Sequence, residues 1–162
     1  MTSLESDSEA ALLELTGSLS SRDTKTRLSA VMGLSERLGQ QASDWESPAS
    51  VTNALVSTLP VLFSDSNVKI TEWALTSCAQ LLRVAQPSQV VAYQQPLVTA
   101  LIESLGNNRQ TVRESALESL LELMGLLSPL TVFGSMRGTS KHKNPRVRAG
   151  TVQLFVAAIQ VH

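Results

Sequence analysis

The sequence predicts an all-α solenoid, a row of helical hairpins stacked side by side. The first observation is a gapless internal match at an offset of 42 residues, in which residues 55–59 fall on residues 97–101 and residues 65–67 on residues 107–109. The second is that apolar residues recur with helical spacing in both copies, without the alternation typical of strands. A period near 40 residues with two helical patterns per copy is typical of α-solenoids.

The same unit occurs twice more, less cleanly. Residues 23–30 and 144–151 open the second helix of an earlier and of a later copy. The equivalent small residues of the four copies, Ala30, Ala74, Ala116 and Thr151, are spaced by 44, 42 and 35 residues. We therefore predict about four HEAT-like repeats in a single domain, residues 1–162, with repeats at roughly 7–39, 51–85, 88–127 and 129–162.

Caps, apolar faces and prolines assign the helices in order. We predict helices over residues 7–19, 25–38, 51–63, 68–85, 90–105, 109–127 and from 145 to the C-terminus, and a weak one after Ser128. Gly39 should end the second helix. Pro60 and Pro96 should kink or delay the helices that contain them, whereas Pro145 is tolerated in a first turn.

Residues 40–50 form the long linker inside the predicted array, and they contain Trp45 and Pro48. An aromatic residue in such a loop can be a contact residue, or it can fold back over the end of a helix pair, which is the more common arrangement. Both interpretations of Trp45 stay open at this point.

Composition limits the class of protein. The 162 residues are 43% hydrophobic and 17% charged, which is enough for a continuous core and unlike a disordered tail. The acidic N-terminus does not resemble a signal peptide, and no apolar run approaches the roughly 20 residues that cross a bilayer. The single Cys78 excludes a disulfide framework and is expected to be a buried thiol. We expect a soluble intracellular protein.

The sequence contains none of the usual catalytic motifs. There is no phosphate-binding glycine loop, no nucleophile elbow and no Cys/His cluster at metal spacing. Neither His142 nor His162 has a carboxylate or nucleophile at a suggestive spacing, and Glu118 and Glu122 are expected to form a solvated helix face. We therefore expect a protein that is not an enzyme and that needs no metal and no cofactor.

Local charge is more informative than the net charge of −1. Because stacked repeats stay in register, the turns within successive hairpins should emerge along one edge. That edge should be basic and polar throughout, since it collects Thr24, Lys25, Arg27, Asn67, Val68, Lys69, Asn108, Arg109, Arg113, Lys141, Lys143, Asn144, Arg146 and Arg148. Helix N-termini favour acidic residues, so repeated Lys and Arg there indicate a function rather than chance.

At this edge the sequence resembles the TOG domains, which are tubulin-binding HEAT arrays, and in particular those of the CLASP class of microtubule regulators. Residues 101–114, residues 128–133 and residues 141–148 carry the resemblance. A Val-Arg-Glu turn followed by a Lys-His-Lys-Asn turn in the next repeat is more specific than a generic HEAT pattern. The resemblance is strongest from Val51 to Gln160.

The resemblance implies that the turns within the repeats bind a curved αβ-tubulin dimer. Carried over position by position, it assigns tubulin contacts to Lys25, Asn67, Val68, Lys69, Asn108, Arg109, Lys143, Asn144 and Arg146. Tubulin is strongly acidic, so a basic edge would gain steering and charge-assisted hydrogen bonds that weaken as salt rises. The implied location is the cytoplasm and cytoskeleton, on microtubules and the mitotic spindle, and other cytoskeletal proteins are a further partner class.

Two departures from the family pattern stand out. The polymerase class of TOG domains carries a tryptophan in the first turn, where this chain has Thr24, which removes a large apolar anchor. A complete TOG domain has six repeats, so we expect the C-terminal repeats to be missing here. The last helix should then present an uncapped apolar face of Val152, Phe155, Val156 and Ile159, in a fragment, a short isoform or a diverged member.

The leading hypothesis is a non-catalytic tubulin- and microtubule-binding module that regulates microtubule dynamics. The alternative is a HEAT scaffold that binds another protein on its concave surface without binding tubulin. Reversal of charge at Arg109 and Lys143 distinguishes the two hypotheses, because it should abolish tubulin binding only in the first case. Nucleic-acid binding is disfavoured because the edge lacks interleaved aromatic residues, and no membrane partner is expected.

Overall fold

The computed structural model describes residues 3–40 and 49–161, and within them all regular structure is helical. The α-helices are α1 (Ser3–Ser18), α2 (Thr24–Gln40), α3 (Ala49–Leu62), α4 (Val68–Val84), α5 (Pro87–Val90), α6 (Gln94–Ser104), α7 (Gln110–Leu127), α8 (Pro129–Ser135) and α9 (Pro145–Val161). Short 3-10 turns lie at Val91–Tyr93 and Thr139–Lys141. Trp45 and Pro48 lie outside the described residues. None of the described helices is long and apolar enough to cross a membrane.

The helices form two layers. The second helices of the hairpins pack in the order α2, α4, α7 and α9, and the first helices α1, α3 and α6 pack in a parallel row, with α8 against α6. Apolar residues between the layers form one continuous core, in which Leu34, Leu75 and Leu120 are fully buried. The predicted fold class, an all-α solenoid of HEAT-like hairpins, is therefore confirmed.

Hydrogen bonds between neighbouring second helices fix the stacking. Ser35 Oγ donates to Gln80 Oε1 at 2.9 Å, from α2 to α4. Between α4 and α7, the Ser119 hydroxyl donates to the Leu75 carbonyl at 3.3 Å. Arg83 on α4 pairs with Glu122 on α7 at 2.7 Å. Because these bonds cross from repeat to repeat, they hold the turns of successive hairpins in register along one edge.

Several predicted helix ends are wrong, and α1 begins at Ser3 instead of residue 7. Gly39 does not end α2, which continues to Gln40. A glycine stop requires a left-handed backbone, and among the described residues only Gly138 and Ser128 have a positive φ. The predicted helix over residues 90–105 is interrupted by the 3-10 turn, and α6 begins at Gln94. Pro96 then lies in the first turn of α6, where its missing N–H breaks no intrahelical bond.

Candidate functional site

The candidate site is the edge formed by the turns inside the four hairpins, which we call the turn edge. The first turn spans residues 19–23, the second residues 63–67, the third residues 105–109 and the fourth residues 136–144. Each turn ends at a residue that immediately precedes a second helix, and these residues are Asp23, Asn67, Arg109 and Asn144. They recur with the spacing of the sequence repeat, so the turns are equivalent by structure as well as by sequence.

All four turns are closed by the same hydrogen bond. The residue that precedes the helix donates its backbone N–H to the side chain two positions before it, at 2.9 to 3.2 Å. The acceptors are Ser21 Oγ, Asp65 Oδ1, Asn107 Oδ1 and His142 Nδ1. This bond competes with other backbone conformations and gives each turn one defined shape.

Three arginines of the predicted basic edge stabilise the turns by hydrogen bonds to backbone carbonyls of the same turn. Each lies four positions after the residue that precedes its helix, and each donates from Nη1 to two carbonyls of the turn. Arg27 contacts the carbonyls of residues 21 and 22, at 3.0 and 3.1 Å, and Arg113 those of residues 107 and 108, at 2.8 and 2.9 Å. Arg148 contacts those of residues 142 and 143, at 2.6 and 3.3 Å.

The second turn uses a neutral substitute for this arginine. Thr71 occupies the same position, and its buried hydroxyl lies 3.3 Å from the Leu62 carbonyl and 3.4 Å from the Asp65 carbonyl. Sequence reasoning placed Arg27, Arg113 and Arg148 in the basic edge but missed their role. Their constant distance from the helix start was the available signal.

An ion pair joins the first turn to the second. Arg27 donates from Nε to Asp65 Oδ2 at 2.9 Å and from Nη2 to Asp65 Oδ1 at 3.2 Å. The two side chains are 15% and 7% exposed. Burial raises the pKa of the Asp65 carboxyl, but hydrogen bonds from Arg27 and from the Asn67 backbone outweigh it, and the net pKa lies below the ordinary value. Asp65 is therefore charged at neutral pH.

Three side-chain contacts join the third turn to the fourth. Asn144 Nδ2 donates to the Gly106 carbonyl at 3.2 Å, and Arg146 Nη1 donates to Asn108 Oδ1 at 3.1 Å. His142 Nε2 lies 3.0 Å from Glu103 Oε1 at the end of α6. Because Nδ1 of the same ring accepts the Asn144 N–H, Nε2 carries the proton and donates to Glu103.

Gly106 allows the third and fourth turns to approach this closely. A Cβ at this position would lie 2.5 Å from Asn144 Nδ2 and 2.9 Å from Val147 Cγ2, which is closer than such atoms can come. The third turn therefore requires glycine for space rather than for an unusual backbone conformation, because the φ of Gly106 is not positive.

The structure divides the nine predicted contact residues into two groups. Lys25, Lys69, Arg109 and Lys143 are exposed, and their side chains form no hydrogen bond or ion pair with any other described residue. The other five take part in the architecture of the turns. Asn67 caps α4 through the Lys69 N–H, Val68 packs on the core, Asn144 caps α9 through the Arg146 N–H, and Arg146 bonds to Asn108.

The prediction that the edge is basic and polar throughout is wrong, because Asp23 and Asp65 lie on it. Asp23 caps α2 by accepting the Thr26 N–H at 2.8 Å, and hydrogen bonds from Thr26 hold the pKa of the Asp23 carboxyl below its usual value. The first two turns thus contain both signs of charge. Most of the uncompensated positive charge lies in the third and fourth turns and at the start of α9, at Arg109, Lys141, Lys143 and Arg146.

Two other predictions concern reactive groups. Cys78 is buried, and burial raises the pKa of its thiol to about 12, as expected of a structural cysteine. Over residues 9–40 and 49–161, no group of three or more His, Cys, Asp or Glu side chains is placed to hold a metal ion.

The stacked hairpins and their aligned turns define a HEAT-type α-solenoid. The chain matches the model of the XMAP215/Dis1/CLASP TOG domain over residues 9–161. Since this match covers most of its length, the chain belongs to the TOG-domain family of XMAP215, Dis1 and CLASP proteins. The family resemblance noted in the sequence is thereby confirmed.

Known relatives agree with this assignment. The chain is 34% identical over 140 residues to a CLIP-associated protein of Arabidopsis thaliana, covering 85% of this chain and 10% of that protein. It is 28% identical over 141 residues to TOG array regulator of axonemal microtubules protein 1 of Mus musculus, covering 87% of this chain and 8% of that protein. The chain therefore spans about a tenth of the length of the relatives that it matches.

Solved structures show the same fold. A crescerin structure, described as using a TOG domain array to regulate microtubules in the primary cilium, superposes with a TM-score of 0.71 at 25% identity, covering 93% of this chain and 60% of that one. The MAST/Orbit N-terminal domain superposes with a TM-score of 0.77 at 23% identity, covering 90% and 64%. Both solved chains contain more residues than the superposed part.

Proposed function

We propose that the chain is a non-catalytic module that binds αβ-tubulin and microtubules through its turn edge and thereby regulates microtubule dynamics. The observation that carries this proposal is the set of four exposed, uncommitted cations, Lys25, Lys69, Arg109 and Lys143, each of which lies in a turn or at the second residue of the helix that follows it. Because these side chains have no hydrogen-bond or ion-pair partner among the described residues, binding to an acidic surface breaks no such contact. The rigid turns behind them keep the cost of ordering low.

The nine family positions divide into two roles under this proposal. The four uncommitted cations make charge-assisted contacts with tubulin and steer its approach. Asn67, Val68 and Asn144 fix the direction of the second and fourth turns. Asn108 and Arg146 act as a bonded pair, which presents a single polar surface where the third and fourth turns meet. Thr24, in place of an aromatic anchor, makes the first turn the weakest contributor.

Reversal of charge at the third and fourth turns tests the proposal. We expect Arg109→Glu and Lys143→Glu each to weaken binding to unpolymerised tubulin about tenfold or more, and the double variant to abolish it, because each reversal places a negative charge against an acidic surface. Equilibrium binding to labelled tubulin at low salt measures the effect, and circular dichroism verifies the fold.

Arg37→Glu is the matched control. It makes the same change of charge in the last turn of α2, at the end of the helix opposite to the first turn. We expect it to leave tubulin affinity within about twofold. Equal losses in Lys143→Glu and Arg37→Glu would mean that net charge, and not the turn edge, governs binding. Retained affinity in the double variant would favour the scaffold alternative, in which another protein binds the concave surface.

We also propose that residues 1–162 act as one unit with repeats at roughly 7–39, 51–85, 88–127 and 129–162, and that further repeats extend the array beyond α9. Val152 and Ile159 of α9 are 63% and 80% exposed, whereas their repeat equivalents in α4, Leu75 and Leu82, are 0% and 3% exposed. Leu75 and Leu82 are covered because α7 packs on α4. The same register in α9 offers an apolar face to one more hairpin.

Paired substitutions test this extension. Leu75→Ala should cost about 2–5 kcal/mol of unfolding free energy, because it leaves a cavity in a covered face. Ile159→Ser should change the stability of the isolated chain by less than about 0.5 kcal/mol and should reduce its binding of an apolar dye. A large loss of stability in Ile159→Ser would mean that this face is already covered within the chain.

The family relation places the relatives on the microtubule cytoskeleton, and we propose the same location for this chain, including the mitotic spindle. A fluorescent fusion that stays diffuse in dividing cells, while the Lys143→Glu variant behaves identically, would contradict this location.

A further inference from the structure

The loop between α8 and α9 contains a serine in a basic sequence context. Arg137 lies three positions before Ser140, and Lys141 and Lys143 follow it. Charge patterns of this kind determine which substrates a protein kinase accepts, and arginine three positions before the hydroxyl is the pattern that arginine-directed kinases read. One other arginine, Arg148, has a hydroxyl at this spacing.

Burial separates the two sites. Thr151, three positions after Arg148, is 4% exposed and its hydroxyl donates to the Val147 carbonyl at 2.8 Å. Ser140 and Arg137 are both exposed, and the Ser140 hydroxyl forms no hydrogen bond with any other residue that the structure describes. Only Ser140 therefore offers a free hydroxyl in this context.

The backbone immediately around Ser140, before the part of the fourth turn that Arg148 holds, has few hydrogen bonds. The segment contains a single 3-10 turn, Thr139–Lys141, with backbone bonds from Lys141 N to Gly138 O at 3.0 Å and from His142 N to Thr139 O at 3.1 Å. Gly138 enters this turn with a left-handed φ of 87°. A kinase cleft binds an extended segment, and few bonds must open to supply one here.

We propose that Ser140 is a phosphorylation site for an arginine-directed serine/threonine kinase, and that its phosphorylation weakens the attraction of the turn edge for an acidic partner. The second half rests on the proposed function. Ser140 Oγ attacks the γ-phosphorus of ATP, and the Oγ–P bond forms while the bond from that phosphorus to the β,γ-bridging oxygen breaks. The hydroxyl proton passes to the catalytic base of the kinase, and ADP leaves.

The effect on the fourth turn follows from charge. A phosphoserine carries about −1.5 to −2 charges at neutral pH. It would stand directly beside Lys141 and three positions before Lys143, in the part of the turn edge with the most uncompensated positive charge. The phosphate neutralises these lysines by pairing with them, or repels an acidic partner directly, and in both cases the edge loses attraction.

The first test maps the site. The purified chain is incubated with MgATP and the catalytic subunit of cAMP-dependent protein kinase, and the phosphorylated residue is located by tandem mass spectrometry. We expect one phosphate at Ser140, no incorporation in Ser140→Ala, unchanged incorporation in Thr139→Ala and about tenfold slower incorporation in Arg137→Ala. No phosphate, or phosphate elsewhere, would overturn the assignment of the site.

The second test measures the consequence. Phosphorylated chain is expected to bind unpolymerised tubulin about tenfold more weakly than mock-treated chain at low salt, while kinase-treated Ser140→Ala binds normally. Equal affinities would overturn the regulatory half of the proposal. If Ser140 is phosphorylated but the unmodified chain binds no tubulin, the site stands, and both the proposed function and its regulation are overturned.

Discussion

The first pair of turns and the second pair are joined by different chemistry. A bidentate ion pair, Arg27 with Asp65, links the first turn to the second. Between the third and fourth turns, Asn144 bonds to the Gly106 carbonyl, Arg146 to the Asn108 amide and His142 to Glu103, and Gly106 leaves the space for this contact. In the first pair the charge of Arg27 is neutralised within the protein by its ion pair with Asp65. In the second pair the arginine, Arg146, bonds to a neutral amide and not to a carboxylate, and the cations Arg109, Lys141 and Lys143 remain for a partner.

This difference explains how a chain with a net charge of −1 has a positive surface at one end of its turn edge. The acidic residues Glu72, Glu118 and Glu122 lie on α4 and α7, where they bond to Thr111 and Arg83 between repeats. The third and fourth turns therefore dominate the attraction for an acidic partner, and the first two turns mainly set the position of the edge.

Among changes at the contacts between turns, the largest expected effect is that of Gly106→Ala. The new Cβ would meet Asn144 Nδ2 and Val147 Cγ2, so the third and fourth turns must separate. We expect a loss of about 1–3 kcal/mol in unfolding free energy, measured by chemical denaturation, and weaker tubulin binding. Gly134→Ala is the control, because a Cβ there meets no atom within 4 Å. Equal stability of the two variants would show that the turns are not closely packed.

Asp65→Asn should break the link between the first two turns with a smaller effect. The folded-state pKa of Asp65 is lowered from its ordinary 3.8, so its stabilising contribution is present above that value and is lost as pH falls through the lower folded value. Thermal melts should therefore show a higher melting temperature for wild type than for Asp65→Asn at pH 7, and the two should converge as the pH falls through the lowered pKa of Asp65. A difference that persists in acid would contradict the ion-pair account.

The smallest effects are expected for Asn144→Ala and Asn67→Ala. Both remove a helix cap, worth about 1 kcal/mol. Asn144 also donates to the Gly106 carbonyl, whereas Asn67 makes no such side-chain donation among the described contacts. Asn144→Ala should therefore be the more destabilising of the two, and it alone should weaken tubulin binding through the fourth turn. Denaturation and binding measurements on both variants check this order.

Much of the architecture could be predicted from local signals. Short segments of sequence are enough to recognise the repeat period, the Asn-containing turns and the residues that precede α4, α7 and α9. Pro96 delayed its helix as expected, but Gly39 did not stop α2. The sequence around a glycine does not reveal whether it adopts the left-handed backbone that ends a helix.

The candidate site was harder to predict because its key contacts join residues far apart in the chain. Asp65 and Arg27 are 38 residues apart, and His142 and Glu103 are 39 apart. Residue type alone made Arg27, Arg113 and Arg148 look like surface charge, although each is committed to the carbonyls of its own turn. A sequence pattern shows that a cation is present on an edge, and the structure shows whether it already has a partner.

The most direct test of the central claim is co-elution of the unmodified chain with unpolymerised αβ-tubulin on a sizing column, at low and at physiological salt. The account predicts a complex at low salt that weakens as salt rises. Exposed cations on the turn edge provide the attraction, and salt screens them. The absence of a complex even at low salt, or a complex that salt does not weaken, would contradict the account.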